Sequence, residues 1–274
     1  MTADDTPIKA EDIEEYINTQ DDFGLELRAF RACKERGFEV SHGGTYEDPV
    51  TKKTRQYDLR VSGENQKRSV QMPVECKNLK ESHPLVVLRA PRTVNESYLE
   101  IVIHHDLDGL RSTSRSVRVN NRDLYKPGEP VGKAMRQIGR QNGALTGGRD
   151  SEVFDRWSQA LSSAYDLVAS AVSGRPDRPW FCSITMPALV VSNRTLWTVD
   201  YDGNGVPSAP MQVNECAFYI GKRYDVAHSR YGTVAHTITH LHIFTFDGFM
   251  KQLGRLSSNP KYWDLLFPEG SLRG

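Results

Sequence analysis

Two segments in the first third of the chain alternate apolar and polar residues with a period of two. In one, Tyr57, Leu59 and Val61 point one way while Asp58 and Arg60 point the other; in the next, Val70, Met72, Val74 and Cys76 are opposed by Gln71, Glu75 and Lys77. Successive side chains of a strand face opposite sides, so each segment is expected to be a strand with one face in a core. Ser62 to Arg68 between them reads as a polar hairpin loop. That pairing stands Asp58 and Glu75 on one polar face of neighbouring strands. Lys77 shares the face of Glu75, and Cys76 joins Val74 in the core.

Ahead of the hairpin the spacing predicts a helix from about Phe23 to Arg36, with Asp21 or Asp22 at its start and Gly37 as its left-handed stop. Phe23, Leu27, Phe30 and Cys33 fall on one side of it, and Glu26 lies among them. A carboxylate there either reaches solvent at the edge or meets a cationic or hydrogen-bonding partner. Strands are expected at Leu85 to Arg89 and Tyr98 to His104. Arg111 to Asp150 reads as a polar insertion with one short helix opened by Pro130. A longer helix follows from about Ser151 to Val172, carrying Phe154, Trp157, Leu161, Tyr165 and Val168 at helical spacing. Further strands are expected near Phe181 to Thr185, Ala188 to Ser192, Thr195 to Asp200, Cys216 to Ile220 and Val234 to Phe246, then a short helix near Phe249 to Leu256. The sum is one α/β domain over 21–274, behind an acidic extension over 1–20.

The 274 residues carry no net charge, with 35 basic and 35 acidic side chains, yet the two signs are segregated. Residues 1–26 hold nine acids and one base, a net −8; residues 111–149 hold nine bases and two acids, a net +7. The acidic arm is suited to occupying a basic groove until a partner displaces it. The apolar runs, such as Leu85 to Leu88, fall far short of the roughly 18 residues that span a bilayer. No signal-peptide pattern opens the chain, and Cys33, Cys76, Cys182 and Cys216 form no C-x-x-C pair, so a reducing cytoplasm is the expected compartment.

Glu26, Asp58, Glu75 and Lys77, with the Cys76 carbonyl, make an oxygen-rich set suited to a hard cation such as Mg²⁺ or Mn²⁺. Phosphodiester hydrolysis needs such a set: cations neutralise the substrate and activate water, and a lysine orients that water. Helix glutamate, strand aspartate and a strand E-x-K resemble the PD-(D/E)XK nuclease superfamily, carried here by Asp22-Phe23-Gly24-Leu25-Glu26, Gln56-Tyr57-Asp58-Leu59 and Val74-Glu75-Cys76-Lys77. Gln56-Tyr57 stands where the eponymous proline would precede the aspartate. The resemblance covers about residues 22–104. It implies a restriction-endonuclease-like mixed sheet flanked by helices, here with additional C-terminal strands. It further implies Asp58 and Glu75 as metal ligands, Lys77 as the water-activating residue and Glu26 as an auxiliary acid. The substrate would be DNA before RNA, with roles in restriction, antiviral defence or repair, as a homodimer or within a larger complex. A catalytically silent nucleic-acid-binding or assembly subunit with the same fold is the alternative.

If Val131 to Arg140 is helical, Lys133, Arg136, Gln137 and Arg140 share one face able to follow phosphates, or simply a solvated one. Gln159 is a candidate on the substrate side, and Tyr165 a core residue. His236, His240 and His242 share strand parity, but residues four apart on a strand lie roughly 13 Å apart, so a structural or surface role is expected rather than zinc. His104-His105-Asp106 reads as a strand end, and Asp200 to Gly205 as a β-turn.

Overall fold

The computed structural model describes residues 6–106, 112–120, 123–147, 159–174, 179–228 and 232–268. Helices are α1 (Ala10–Gln20), α2 (Phe23–Glu35), α3 (Gln159–Ser173), α4 (Phe246–Ser258) and α5 (Pro260–Leu266). Strands are β1 (Glu39–His42), β2 (Thr45–Glu47), β3 (Thr54–Gln56), β4 (Leu59–Asn65), β5 (Arg68–Lys77), β6 (Leu85–Pro91), β7 (Tyr98–Asp106) and β8 (Ser112–Asn120). They continue with β9 (Pro130–Gln141), β10 (Ala144–Gly147), β11 (Trp180–Thr185), β12 (Ala188–Val191), β13 (Leu196–Asp200), β14 (Met211–Gln212), β15 (Glu215–His228) and β16 (Gly232–Thr245).

All strands except the β2–β3 ribbon join one mixed sheet, so the α/β expectation is met. The expected hairpin is β4–β5, antiparallel from Asn65↔Arg68 to Leu59↔Val74. Its loop is only Gln66-Lys67, with Gln66 at φ 58°, because both strands run further than their apolar alternation. The middle eight residues of β5 are buried, as expected for a strand covered on both faces. Its outer edge is filled by β11 and then β12, both parallel and in one continuous register, from Cys182↔Arg68 to Val191↔Lys77. Met186-Pro187 interrupts that neighbour, and a proline cannot donate to a ladder. There the sheet forks: β11 continues to β7 and β8, while β12 continues to β16, β15, β9, β6, β13 and β14.

Helices α2, α4 and α5 cover one face, where Leu25, Ala29, Phe249, Leu253 and Trp263 pack on Val74, Cys76, Val190 and Phe244. Helix α3 covers the other with Leu161, Ala164 and Val168 against Val102, Phe181, Tyr224 and Ile238. Each such large buried side chain contributes roughly 1.5–3 kcal/mol.

Several expectations are corrected. The core face of α2 is Leu25, Ala29, Ala32 and Cys33, whereas Phe23 and Leu27 are exposed. Pro130 opens a strand rather than a helix. Residues 112–120 and 130–141 are integral strands of the sheet and not an insertion hung on it. The acidic arm contains a helix, α1, whose described side chains are exposed. Phe154, Trp157 and the first turns of the long helix lie outside the described residues. No described helix is long and apolar enough to cross a membrane.

Candidate functional site

The site lies where the β4–β5 ladder ends. Continuing its register one residue past Leu59↔Val74 brings Asp58 to the level of Glu75, and the two carboxylates feel each other's charge. Asp58 is not hydrogen-bonded into β4; instead its Oδ2 accepts the Cys76 N–H at 2.7 Å and so finishes the ladder with a side chain. The N–H and C=O of one strand residue point to the same edge, so the Cys76 carbonyl faces the Asp58 side, past the last β4 pair.

Lys77 ends β5, and its Nζ lies 2.9 Å from Glu75 Oε1 and 2.9 Å from Asp22 Oδ2. Asp22 stands at the start of α2 without capping it. Its carboxylate turns back to Lys77 and takes the Asn78 N–H at 2.6 Å. One helical turn on, Glu26 Oε2 pairs with His42 Nε2 at 2.9 Å, and the imidazole sits beside the rings of Phe23 and Phe30. The partner that Glu26 called for is therefore a histidine, and Phe23 and Phe30 serve to hold it.

Burial dominates the electrostatics. Glu75 is 2% exposed. Loss of solvent, then the charge of Asp58, push its carboxyl up to about 7 although Lys77 opposes the shift. Asp58 is pushed up to about 6, again first by burial and then by Glu26 and Asp22, against the pull of the Cys76 N–H and of Lys77. Burial disfavours the Lys77 ammonium, but Glu75, Asp22 and Asp58 outweigh that cost and hold its pKa above the ordinary lysine value. Three carboxylates, those of Glu75, Asp22 and Asp58, thus act on one lysine, and Glu26 adds its charge beside Asp58. The surplus of negative charge, and the discomfort of the two most buried acids, describe a site short of positive charge.

Among the described residues no three His, Cys, Asp or Glu side chains form a ready cage for a metal ion. What converges is smaller: Asp58, Glu75 and the Cys76 carbonyl. These are hard oxygen donors, the kind that hold an ion such as Mg²⁺ or Mn²⁺.

The chain matches no protein-family model, no curated protein and no solved structure.

Asp22, Asn78 and His42 were not legible as site residues. Asp22 and Glu26 are spaced i, i+4 on one helical face, which was the available signal for Asp22. His42 carried none. The basic stripe is also revised. Lys133, Arg136, Gln137 and Arg140 lie on β9, where a bulge at Lys133 breaks parity, so they share no single face. Lys133 is paired with Glu96, and Gln137 Nε2 bonds the His83 carbonyl at 3.2 Å. Gln159 receives the Tyr46 hydroxyl on its carbonyl, and Tyr165 lies against the Tyr224 ring, 5.9 Å between centroids.

His236 and His240 are buried rather than on a polar surface; His236 bonds Ser116 at 2.9 Å, and His240 stacks on Tyr125 at 4.1 Å. His104 is buried and bonded to Ser114. The Asp200 segment is a turn, with Asp202 Oδ1 accepting the Asn204 and Val206 N–H groups.

Proposed function

We propose that this chain is a divalent-metal-dependent nuclease, acting on DNA before RNA, built on a restriction-endonuclease-like sheet. One observation carries the reading: the buried Glu75 and the half-buried Asp58 stand together at a strand end beside Lys77, and both carboxyls are held above their ordinary pKa. A stability-driven core has no use for that arrangement, and strongly perturbed acids cluster where chemistry is done.

Asp58, Glu75 and the Cys76 carbonyl would hold the cation, with Glu26 reaching it through water. When bound, the cation supplies charge neutralisation of the phosphodiester and a lowered pKa for water. Lys77 stays protonated at neutral pH, so it orients the attacking water as a donor and offsets charge gathering on the phosphoryl oxygens. Asp22 fixes the direction of Lys77, and the Asp22–Asn78 bond locks that end of β5 to α2.

The test is Mg²⁺-dependent cleavage of single-stranded, double-stranded and branched DNA. Lys77→Ala and Asp58→Ala should each lower the rate by about 100-fold or more. Equal activity in wild type and both variants would overturn the assignment. A wild type that binds DNA and never cuts it selects the silent-subunit reading.

A further inference from the structure

Residues 78–84 leave the site directly after Lys77 and lead into β6. They are tied down by Ser192 Oγ donating to Asn78 Oδ1 at 2.8 Å, by Arg194 to Glu81 at 2.6 Å, and by the bonds of Asn78 to Asp22 and of Gln137 to the His83 carbonyl. Beyond them, β9 outruns its partner. The β6 ladder ends at Leu85↔Gln137; Ile138 still gives its N–H to the Pro84 carbonyl at 3.2 Å, while β9 runs on to Gln141 paired with β10 and turns back through Asn142-Gly143, both at positive φ. This two-stranded ribbon overhangs the end of the sheet.

Between the ribbon and the loop lies an open cavity of about 340 Å³, lined by Glu81, Ser82, His83, Ile138, Arg140 and Leu145, with Pro84 beside Ile138. Its walls are largely apolar. Leu145 is 69% exposed, an unusual place for a leucine on a ribbon with no core of its own. The His83 ring is seated against Gly139, where a Cβ would come within 2.4 Å of it, and Ser82 Oγ holds its Nδ1 at 3.0 Å. The imidazole plane is therefore fixed. Arg140 gives one N–H to the Gly143 carbonyl at 3.2 Å, one of the five donors a guanidinium carries.

We propose that this cleft binds a nucleobase with its phosphate: the base between the His83 ring and the aliphatic wall of Pro84, Ile138 and Leu145, the phosphate at Arg140. The volume is at the small end of ligand sites, where a single nucleotide fits. Flat aromatic ligands are met by stacking that tolerates any base, and arginine is the side chain suited to phosphate. The base can belong to a nucleic-acid strand or to a free nucleotide. The first case rests on the nuclease reading, since Lys77 and His83 are six residues apart and at most about 22 Å along the chain, within reach of one bound strand.

The full-length chain, kept in chelator so that nothing is cut, is titrated with a short single strand carrying a fluorescent adenine analogue, the same strand with abasic sites, adenosine 5′-monophosphate, and ribose 5-phosphate. The abasic strand should bind about 5- to 100-fold more weakly than the intact one, and adenosine 5′-monophosphate should bind where ribose 5-phosphate does not. Leu145→Ala should remove most of that difference, and Arg140→Ala should weaken the strand and the mononucleotide alike; both positions are exposed. A response of the analogue identifies a strand base; saturation by the mononucleotide with no response of the strand identifies a free nucleotide. Base-blind binding, absence of binding to every probe, or variants that bind like wild type would overturn the cleft. Lys77→Ala separates the two readings. Lys77-dependent cleavage with base-blind binding refutes the cleft alone, and base-dependent binding with no Lys77-dependent cleavage refutes the nuclease alone.

Discussion

Glu75→Gln should make the protein more stable, and the size of the gain follows from the site. The carboxyl has an ordinary pKa of 4.5, which burial and Asp58 raise to about 7 in the fold. A raised acid favours its protonated form in the native state, so between those two values the folded chain binds more protons than the unfolded one. Stability is therefore unaffected by this group below about pH 4.5, falls as the pH rises through the window, and carries the full cost above about pH 7. At 1.36 kcal/mol per pKa unit the cost is about 3 kcal/mol. Glutamine resembles the neutral acid in shape, and Lys77 keeps Asp22 as its partner. The substitution should thus raise stability by about 3 kcal/mol at pH 8 and by little at pH 4.5, or about 6 °C in Tm at the higher pH for a chain of this size. Thermal melts of both proteins at the two pH values, in chelator, read out Glu75 with its coupled neighbours Asp58 and Lys77, because groups remote from the site cancel in the difference. A variant that melts below wild type at pH 8, or whose advantage is the same at both pH values, would refute the reasoning.

Magnesium should imitate that substitution: at about 100 times its Kd it should stabilise wild type by about 2.7 kcal/mol at pH 8, and Glu75→Gln much less, in the same melts. An equal rise in both would place the cation elsewhere. Burial holds His236 and His242 down at about 4, so below pH 6.5 the unfolded chain takes protons that the fold refuses, and stability falls as the pH drops toward 4. His236→Asn should flatten that fall in urea titrations, and an unchanged slope would count against it. Gly248→Ala should cost about 1–3 kcal/mol, because the new Cβ would lie 1.9 Å from the Asn214 carbonyl oxygen at the start of α4. Denaturant unfolding measures it, and a neutral result would show that the helix can shift.

The legible parts of the fold were those where burial acts on large side chains at regular spacing. Tyr57 to Val61 and Val70 to Cys76 announce their hairpin because a period of two has no helical reading. The face of α2 was misread because Phe23 and Leu27 weigh more in a hydrophobic pattern than Ala29 and Ala32, although the small residues are what let the helix approach the sheet. Lys133, Arg136, Gln137 and Arg140 fit a helix by spacing alone, but on β9 the adjacent Arg136 and Gln137 face opposite sides, and the strand is fixed by pairing with β6 about 50 residues away. Alternation set Glu75 and Lys77 on one polar face with Asp58 on the neighbouring segment, and the resemblance supplied the roles expected of them. Asp22 was hidden by its position, since an aspartate before a helix is ordinarily explained as a cap. Its actual partner is set by a contact 55 residues away in sequence, which no local pattern encodes.

The fork at Met186-Pro187 divides the labour under the site. Glu75 and Lys77 rest on β12, which is clamped in turn by β16, while the other end of β5 rests on β11 and through it on the β7–β8 wing. If the wing opens as a separate cooperative unit, the bonds it must break to β16 include Glu100 to the Thr237 N–H and Ser116 to His236, and neither of these holds the carboxylates of the site. Amide protons of Leu189 to Val191 should then exchange only with global unfolding, whereas those of Phe181 to Ser183 exchange earlier. The protein would breathe on one side of a proline and keep its acids in place on the other.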